Sequence, residues 1–255
     1  MIIAMPSKNR VDGMTALKIF KYPVIFVEPQ DLEKYKEKHS DKKIVCIDKN
    51  DMGFGFVLRK IVDYTIEQGE KYFLFVDDDI FGLKRKDKKD FDIDDFTKEG
   101  EEIMDRYELA QLGVSFGGHN WYHKLKFKRN TAVWGMGFMN AEKIKAVGNY
   151  NEKLMLFNDY EITARLIINK QRVLSWYDYM FLHKMGAAEG GANTFYKKQD
   201  FTKGQIKLLY MPYQKYMKIM YHKKHKLWEF RFNWKKLEKD VIVNSKDIKF
   251  LKQFI

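Results

Sequence analysis

The sequence predicts an α/β fold: a parallel sheet covered by helices, with a ligand site beyond the carboxyl ends of its strands. Three observations carry this expectation. Short β-like runs at residues 2–5, 24–27, 43–47 and 72–76 alternate with helix-like stretches, and such alternation gives parallel strands joined by crossover helices. Two polar motifs, MPSKNR at 5–10 and DDD at 77–79, directly follow the first and fourth runs. That places both at the edge where open α/β sheets take ligands. Near residue 196 the pattern changes to interleaved lysine and aromatic residues.

Each element has its own reason. GFVLRKIVDYTIEQGE repeats apolar residues at helical spacing through Val57, Leu58, Ile61, Val62, Thr65 and Ile66. YFLFV, before the aspartates, is apolar without alternation, as a strand buried on both faces should be. Residues 84–100, KRKDKKDFDIDDFTKEG, are charged with little periodicity and read as an exposed loop. A second β-rich block follows in LAQLGVSFGG and TAVWGMGFMN, then a short helix AEKIKAVG closed by Gly148. DYEITARLIINK reads as a helix capped by Asn158 or Asp159, and QRVLSWYDYMFLH as the strand after it. No GxGxxG turn follows the first strand, which disfavours a dinucleotide fold.

The bulk numbers exclude several classes. The 255 residues are 45% hydrophobic and 32% charged, and no apolar run reaches the ~20 residues a membrane helix needs. The start, IIAMPSKNR, is too short and too broken for a signal peptide. Cys46 is the one cysteine, so no disulfide framework exists, and the expected compartment is the cytoplasm. The net charge of +12 is concentrated: residues 197–255 hold 16 Lys and Arg against 5 Asp and Glu, leaving 31 against 30 before them. Such a tail suits a polyanion or an anionic membrane surface. Lysine over-use as a compositional habit would not gather the charge at one end.

Three constellations carry chemistry. Asp77 and Asp79 are two residues apart at a strand end, so an extended chain points both the same way, and a hard divalent ion such as Mg²⁺ or Mn²⁺ suits them. A haloacid-dehalogenase-type phosphatase also has DxD after a strand, but on its first strand, whereas here it follows the fourth. Asp159 and Glu161 open an amphipathic helix, where a carboxylate serves either as a cap or as a general base. His183 follows a β-like run and precedes a Gly-rich stretch, and on spacing alone it is either a structural histidine or a ligand.

MPSKNR, FVDDDI, NDYEITARL and the FLHKMGAAEGG ending together resemble the nucleotide-sugar glycosyltransferases of the GT-A fold, over roughly residues 1–195. More narrowly, they are similar to the TET-associated glycosyltransferases of bacteriophages. The resemblance implies a Rossmann-like donor-nucleotide half (1–83), an acceptor half on a mixed sheet (101–195), and a UDP-sugar donor. It implies Asp77, Asp79 and His183 as ligands of Mn²⁺ or Mg²⁺, and Asp159 as base with Glu161 beside it. It places Pro6, Ser7, Arg10, Arg59 and Asp78 on the donor and Trp134, Gly135 and Gly137 on the acceptor side. The acceptor it implies is 5-hydroxymethylpyrimidine in DNA, in a host-cell cytoplasm. One departure stands out: Asn158 sits where the family's acidic motif commonly has Glu.

Residues 196–255 are expected to form a basic, aromatic-rich, helical appendage. Lys223, Lys224, Lys226 and Arg231 would meet phosphates and Trp234 would stack on exposed bases, unless the aromatics pack the tail onto the catalytic domain. Two other functions fit the same residues: transfer to a polysaccharide or lipid-linked acceptor with the tail on a membrane, and an inactive DNA-binding module on the same scaffold.

Overall fold

The computed structural model describes residues 1–87, 89–117, 125–129, 131–183, 198–222 and 227–241. Four strands, β1 (Ile2–Pro6), β2 (Val24–Val27), β3 (Lys43–Cys46) and β4 (Tyr72–Val76), lie parallel in the order β3-β2-β1-β4. All five residues of β4 are buried, as its unalternating sequence requires. The sheet continues through β5 (Ile80–Arg85), β6 (Leu109–Phe116), β7 (Phe127–Arg129), β8 (Met136–Asn140) and β9 (Arg172–His183). Its full order is β3-β2-β1-β4-β8-β6-β9-β5, with β7 also on β9. The two segments expected to form donor and acceptor halves therefore share one continuous mixed sheet.

Helices cover both faces. Helices α1 (Leu32–Lys38) and α3 (Ile93–Arg106) bury Tyr35, Phe96, Ile103 and Met104 on one face. On the other face lie α2 (Phe54–Glu67), α4 (Ala141–Ala146) and α5 (Asn158–Ile168), with Ile61, Val62, Ile144, Ile162 and Leu166 buried. The stretch 84–100 is not the exposed loop its charge predicts: it completes β5 and opens α3. Apolar Phe96, Ile103 and Met104 fall on one helix face, and Asp92 caps it by accepting from the Asp94 N–H at 2.7 Å. The dense charge on the solvent face hides this stripe from a reading by periodicity.

The appendage is helical at both ends, α6 (Gln199–Tyr213) and α7 (Trp234–Val241), with a hairpin between them formed by β10 (Met217–His222) and β11 (Leu227–Phe232). LWEFRF alternates strictly, turning Trp228, Phe230 and Phe232 inward and leaving Leu227, Glu229 and Arg231 exposed. No helix among the described residues is long and apolar enough to cross a membrane.

The strand directions decide where the site falls. β8 is antiparallel to β4, β6 antiparallel to β8, and β9 parallel to β6, so β4 and β9 end on the same edge. Helix α5 precedes β9 and thus starts on that edge. The first turn of α2, which follows β3, meets it there: a Cβ on Gly55 would lie 2.7 Å from Asn158 Oδ1 and 2.4 Å from the Asn151 carbonyl.

Close packing across the sheet generates a first prediction. A Cβ on Gly100 of α3 would sit 2.1–2.6 Å from three ring atoms of the wholly buried Phe138. Gly100→Ala gains ~1 kcal/mol of helix propensity, but overpacking at such distances costs about 1–3 kcal/mol. A net loss of stability is expected, read as a lower urea midpoint at unchanged m-value.

Candidate active site

Asp77, Asp78 and Asp79 form the turn from β4 into β5, and each is held differently. The Asp77 N–H donates to the Gly135 carbonyl at 2.9 Å, tying the turn to the start of β8. Gly135 has φ +70°, and a Cβ there would reach 2.5 Å from the Phe181 ring, so the close approach requires glycine. Gly137 has a similar constraint from Val133, at 2.4 Å. Asp78 is buried and accepts from Ser7 Oγ at 2.5 Å and Arg10 Nη1 at 2.6 Å. The same Arg10 nitrogen donates to Asp79 Oδ2 at 2.9 Å. Tyr35 completes the lock, its hydroxyl 2.8 Å from Ser7 Oγ and accepting from the Arg10 N–H at 3.0 Å.

The third group comes from the far end of the chain. β5 pairs antiparallel with β9 and sets Ile80 opposite His183, which brings the imidazole onto Asp79. His183 Nε2 lies 2.7 Å from Asp79 Oδ1, yet this oxygen accepts no hydrogen bond of good geometry. Ligand atoms of Asp77, Asp79 and His183 lie within 4.8 Å of one another, and all three side chains are half-buried.

Burial, reinforced by the charges of Asp79 and Asp78, pushes the Asp77 carboxyl up to about 8. Burial also raises Asp78, against the pull of Arg10 and Ser7. It works against the charged form of Asp79 as well, but there His183 and Arg10 outweigh it and hold the carboxyl low. The neighbouring Asp79 in turn raises His183. A divalent cation fits this set: two carboxylates and an imidazole converge, one ligand oxygen accepts no hydrogen bond of good geometry among the described residues, and burial disfavours Asp77 as an anion.

Asp159 sits in the first turn of α5. Burial raises its carboxyl to about 6, opposed by the backbone N–H groups of Asp159 and Tyr160. The residue before the helix, Phe157, has φ +65°, an uncommon and strained conformation for an aromatic side chain, and provides no side-chain cap. Asn158 is buried; its amide donates to the Leu154 carbonyl at 2.8 Å, and its Oδ1 has no hydrogen-bond partner among the described residues. Glu161 faces inward to Arg165, at 2.7 Å, and to the Tyr213 hydroxyl, at 3.3 Å. Arg165 also donates to the carbonyls of Val147 and Asn149, so this pair clamps the loop before α5.

The remaining sequence-predicted residues divide. Pro6 ends β1, buried next to Ser7. Arg59 pairs with Glu152 at 3.2 Å and, among the described residues, with none of the three aspartates. Trp134 is 37% exposed and rests edge-on against Phe181. Arg231 is exposed, whereas Trp234 stacks on Phe232 and Tyr160. Lys223, Lys224 and Lys226 lie outside the described residues. Sequence reasoning missed Tyr35, a tyrosine inside an ordinary lysine-rich helix, and the Lys8 link to buried Glu28 at 2.8 Å and to Asp51 at 2.5 Å. The adjacency of Lys8 to Ser7 was the available signal for the latter.

The model of the TET-associated glycosyltransferase family matches residues 1–191. The chain belongs to this family. Among solved structures, the fold is similar to that of S. aureus TarS, residues 1–349, with a TM-score of 0.51 at 14% identity over 82% of this chain and 64% of that one. The chain thus spans less than two thirds of that structure's length. TarS in complex with UDP gives a TM-score of 0.48 at 16% identity, covering 81% and 65% of the two chains. A197 from STIV gives 0.40 at 11%, covering 72% and 85%. No curated protein matches in sequence. The family model ends before α6, so the appendage lies outside the part that defines the family.

The two arginine pairs make opposite predictions. Glu161 and Arg165 are largely buried, with side-chain exposures of 8% and 21%, so Arg165→Ala strands a buried carboxylate and should cost about 3 kcal/mol. Arg59 and Glu152 are 43% and 39% exposed, and Arg59→Ala should change stability by less than about 1 kcal/mol. Denaturant titration of both variants checks the contrast.

Proposed function

We propose that this chain transfers a sugar from a UDP-sugar to the hydroxyl of a 5-hydroxymethylpyrimidine in DNA. The observation that carries the reading is the convergence of Asp77, Asp79 and His183 at the same sheet edge as Asp159. Ser7 and Arg10, locked to Asp78, line the approach from β1 and fit a nucleotide diphosphate. Asp77, Asp79 and His183 would hold Mn²⁺ or Mg²⁺, which neutralises charge on a departing diphosphate. Asp159 takes the proton of the acceptor hydroxyl, whose oxygen bonds to the anomeric carbon as the bond to the diphosphate breaks. A base raised to about 6 is ionised at neutral pH yet retains a stronger pull on a proton than an ordinary carboxylate.

The DNA acceptor is supported by charge. On the outer face of the hairpin Lys218 stands directly opposite Arg231, and both are exposed. Like charges in that position destabilise a strand pair, and a phosphate between them relieves the repulsion.

Mass spectrometry of nucleosides from 5-hydroxymethylcytosine or 5-hydroxymethyluracil DNA, after incubation with the protein, Mn²⁺ and UDP-sugars, tests the reading. A gain of one hexose or N-acetylhexosamine is expected. Metal-dependent UDP release with unmodified DNA would remove DNA as the acceptor.

Asp77→Asn should abolish transfer. Because the folded-state value of Asp77 lies above its unfolded one, its carboxyl stabilises fully only below about pH 4 and loses that contribution as pH rises towards about 8. In chelator at pH 8 Asp77→Asn should therefore melt above the parent protein, with the difference closing in acid. kcat should rise with pH through about 6 as Asp159 ionises, then level off. Lys218→Glu and Arg231→Glu should each lower the slope of log K for DNA against log salt by about 1.

A further inference from the structure

The appendage does more than follow the family's domain in sequence: it grips the segment that carries Asp159. From α6, Gln205 is buried, and its Oε1 accepts from the Met155 N–H at 2.6 Å and the Leu156 N–H at 3.3 Å. Tyr213, also buried, donates to Glu161 one turn into α5. From β11, Phe230 meets the Phe157 ring edge-on at 5.0 Å and the Tyr160 ring at 4.8 Å. From α7, Trp234 stacks on Tyr160 at 5.9 Å and 21°, backed by Phe232 at 4.1 Å. Leu237 is wholly buried, and Glu238 pairs with Arg129 of β7 at 3.0 Å, so α7 is itself anchored to the sheet.

Asp159 lies between Phe157 and Tyr160, and Phe230 touches both. Phe157 holds its left-handed backbone with no cap of its own, and such strain, about 1–2 kcal/mol, persists only where neighbours over-determine it. Among those neighbours is Phe230 of the appendage, edge-on against the Phe157 ring. Among the described residues, the titratable groups coupled to this carboxylate are Tyr150 and Tyr160, both neutral at physiological pH.

We propose that the appendage is the positioning element of Asp159, with Phe230, Trp234 and Gln205 as positioning residues that hold residues 155–160 in their catalytic geometry. This rests on reading Asp159 as the base. A displacement of about 1 Å in such a group lowers turnover by up to ~100-fold while leaving donor binding in place. It would also admit water around the carboxylate.

The test uses the full chain labelled with carboxyl-¹³C aspartate, the Asp159 resonance being assigned by its loss in Asp159→Asn. In the parent protein it should titrate near 6. In Phe230→Ala it should fall by about one unit or more, towards the ordinary value near 4. Trp234→Phe, which keeps a ring on Tyr160, should restrain it near the parent value, and Trp228→Ala, whose ring meets Tyr221 and Lys203 instead, should leave it unmoved. Where Phe230→Ala does not fold, Phe230→Leu is read in its place. In parallel, kcat for transfer from UDP-glucose or UDP-N-acetylglucosamine to 5-hydroxymethylcytosine DNA should drop at least tenfold in Phe230→Ala, with the donor KM within twofold. An unmoved titration in a folded Phe230 variant overturns the proposal. A shifted titration in a protein whose parent transfers no sugar upholds the coupling and overturns the assigned reaction instead.

Discussion

Three adjacent carboxylates at the end of β4 cannot all be charged in a half-buried turn without positive or hydrogen-bonding partners. Three segments remote in sequence meet that demand. Ser7 and Arg10 arrive from the end of β1 and hold Asp78, and Arg10 also reaches Asp79. His183 arrives from the end of β9 onto Asp79. Gly135, from the start of β8, fixes the backbone of Asp77. Among the described residues Asp77 forms no ion pair, and burial pushes its carboxyl up to about 8. The charge imbalance of this turn therefore explains its fitness for a cation.

The second acidic group is arranged on opposite terms. Among the described residues no cation acts on Asp159, which is raised by burial, opposed by backbone N–H groups of its own helix. Its position depends on a crowded frame: α2 approaches through Gly55, Arg165 clamps the preceding loop, and the appendage closes the remaining side with aromatic rings. Polar groups hold the aspartate turn, while mostly apolar surface holds the first turn of α5. The first holds Asp79 charged beside His183 and Arg10, and the second favours a carboxylate that accepts a proton readily.

What was legible in the sequence was local. The strand–helix alternation, the acids after β4 and at the head of α5, and the run 171–183 as a strand all follow from periodicity and from residues that stop it. Helix α3 was hidden because Asp and Glu crowd its solvent face and dilute a three-residue apolar stripe. The hairpin was hidden because Lys218, Arg231 and their neighbours mask a period of two within a lysine-rich tract. Glu161, which the resemblance sets beside the base, faces Arg165, and Arg165 reaches the loop carbonyls, contacts that no spacing announces.

By itself, then, the sequence determined the parallel strands, the sheet edge where the acids sit and the basic excess of the appendage, because each depends on the order of neighbouring residues. Tertiary structure alone decided the partners. The pairing of β5 with β9 put His183 on Asp79, and the docking of the appendage put Phe230 and Trp234 against Phe157 and Tyr160. Strand register and the packing of whole surfaces are long-range quantities, set by the core as a unit, and no local spacing encodes them.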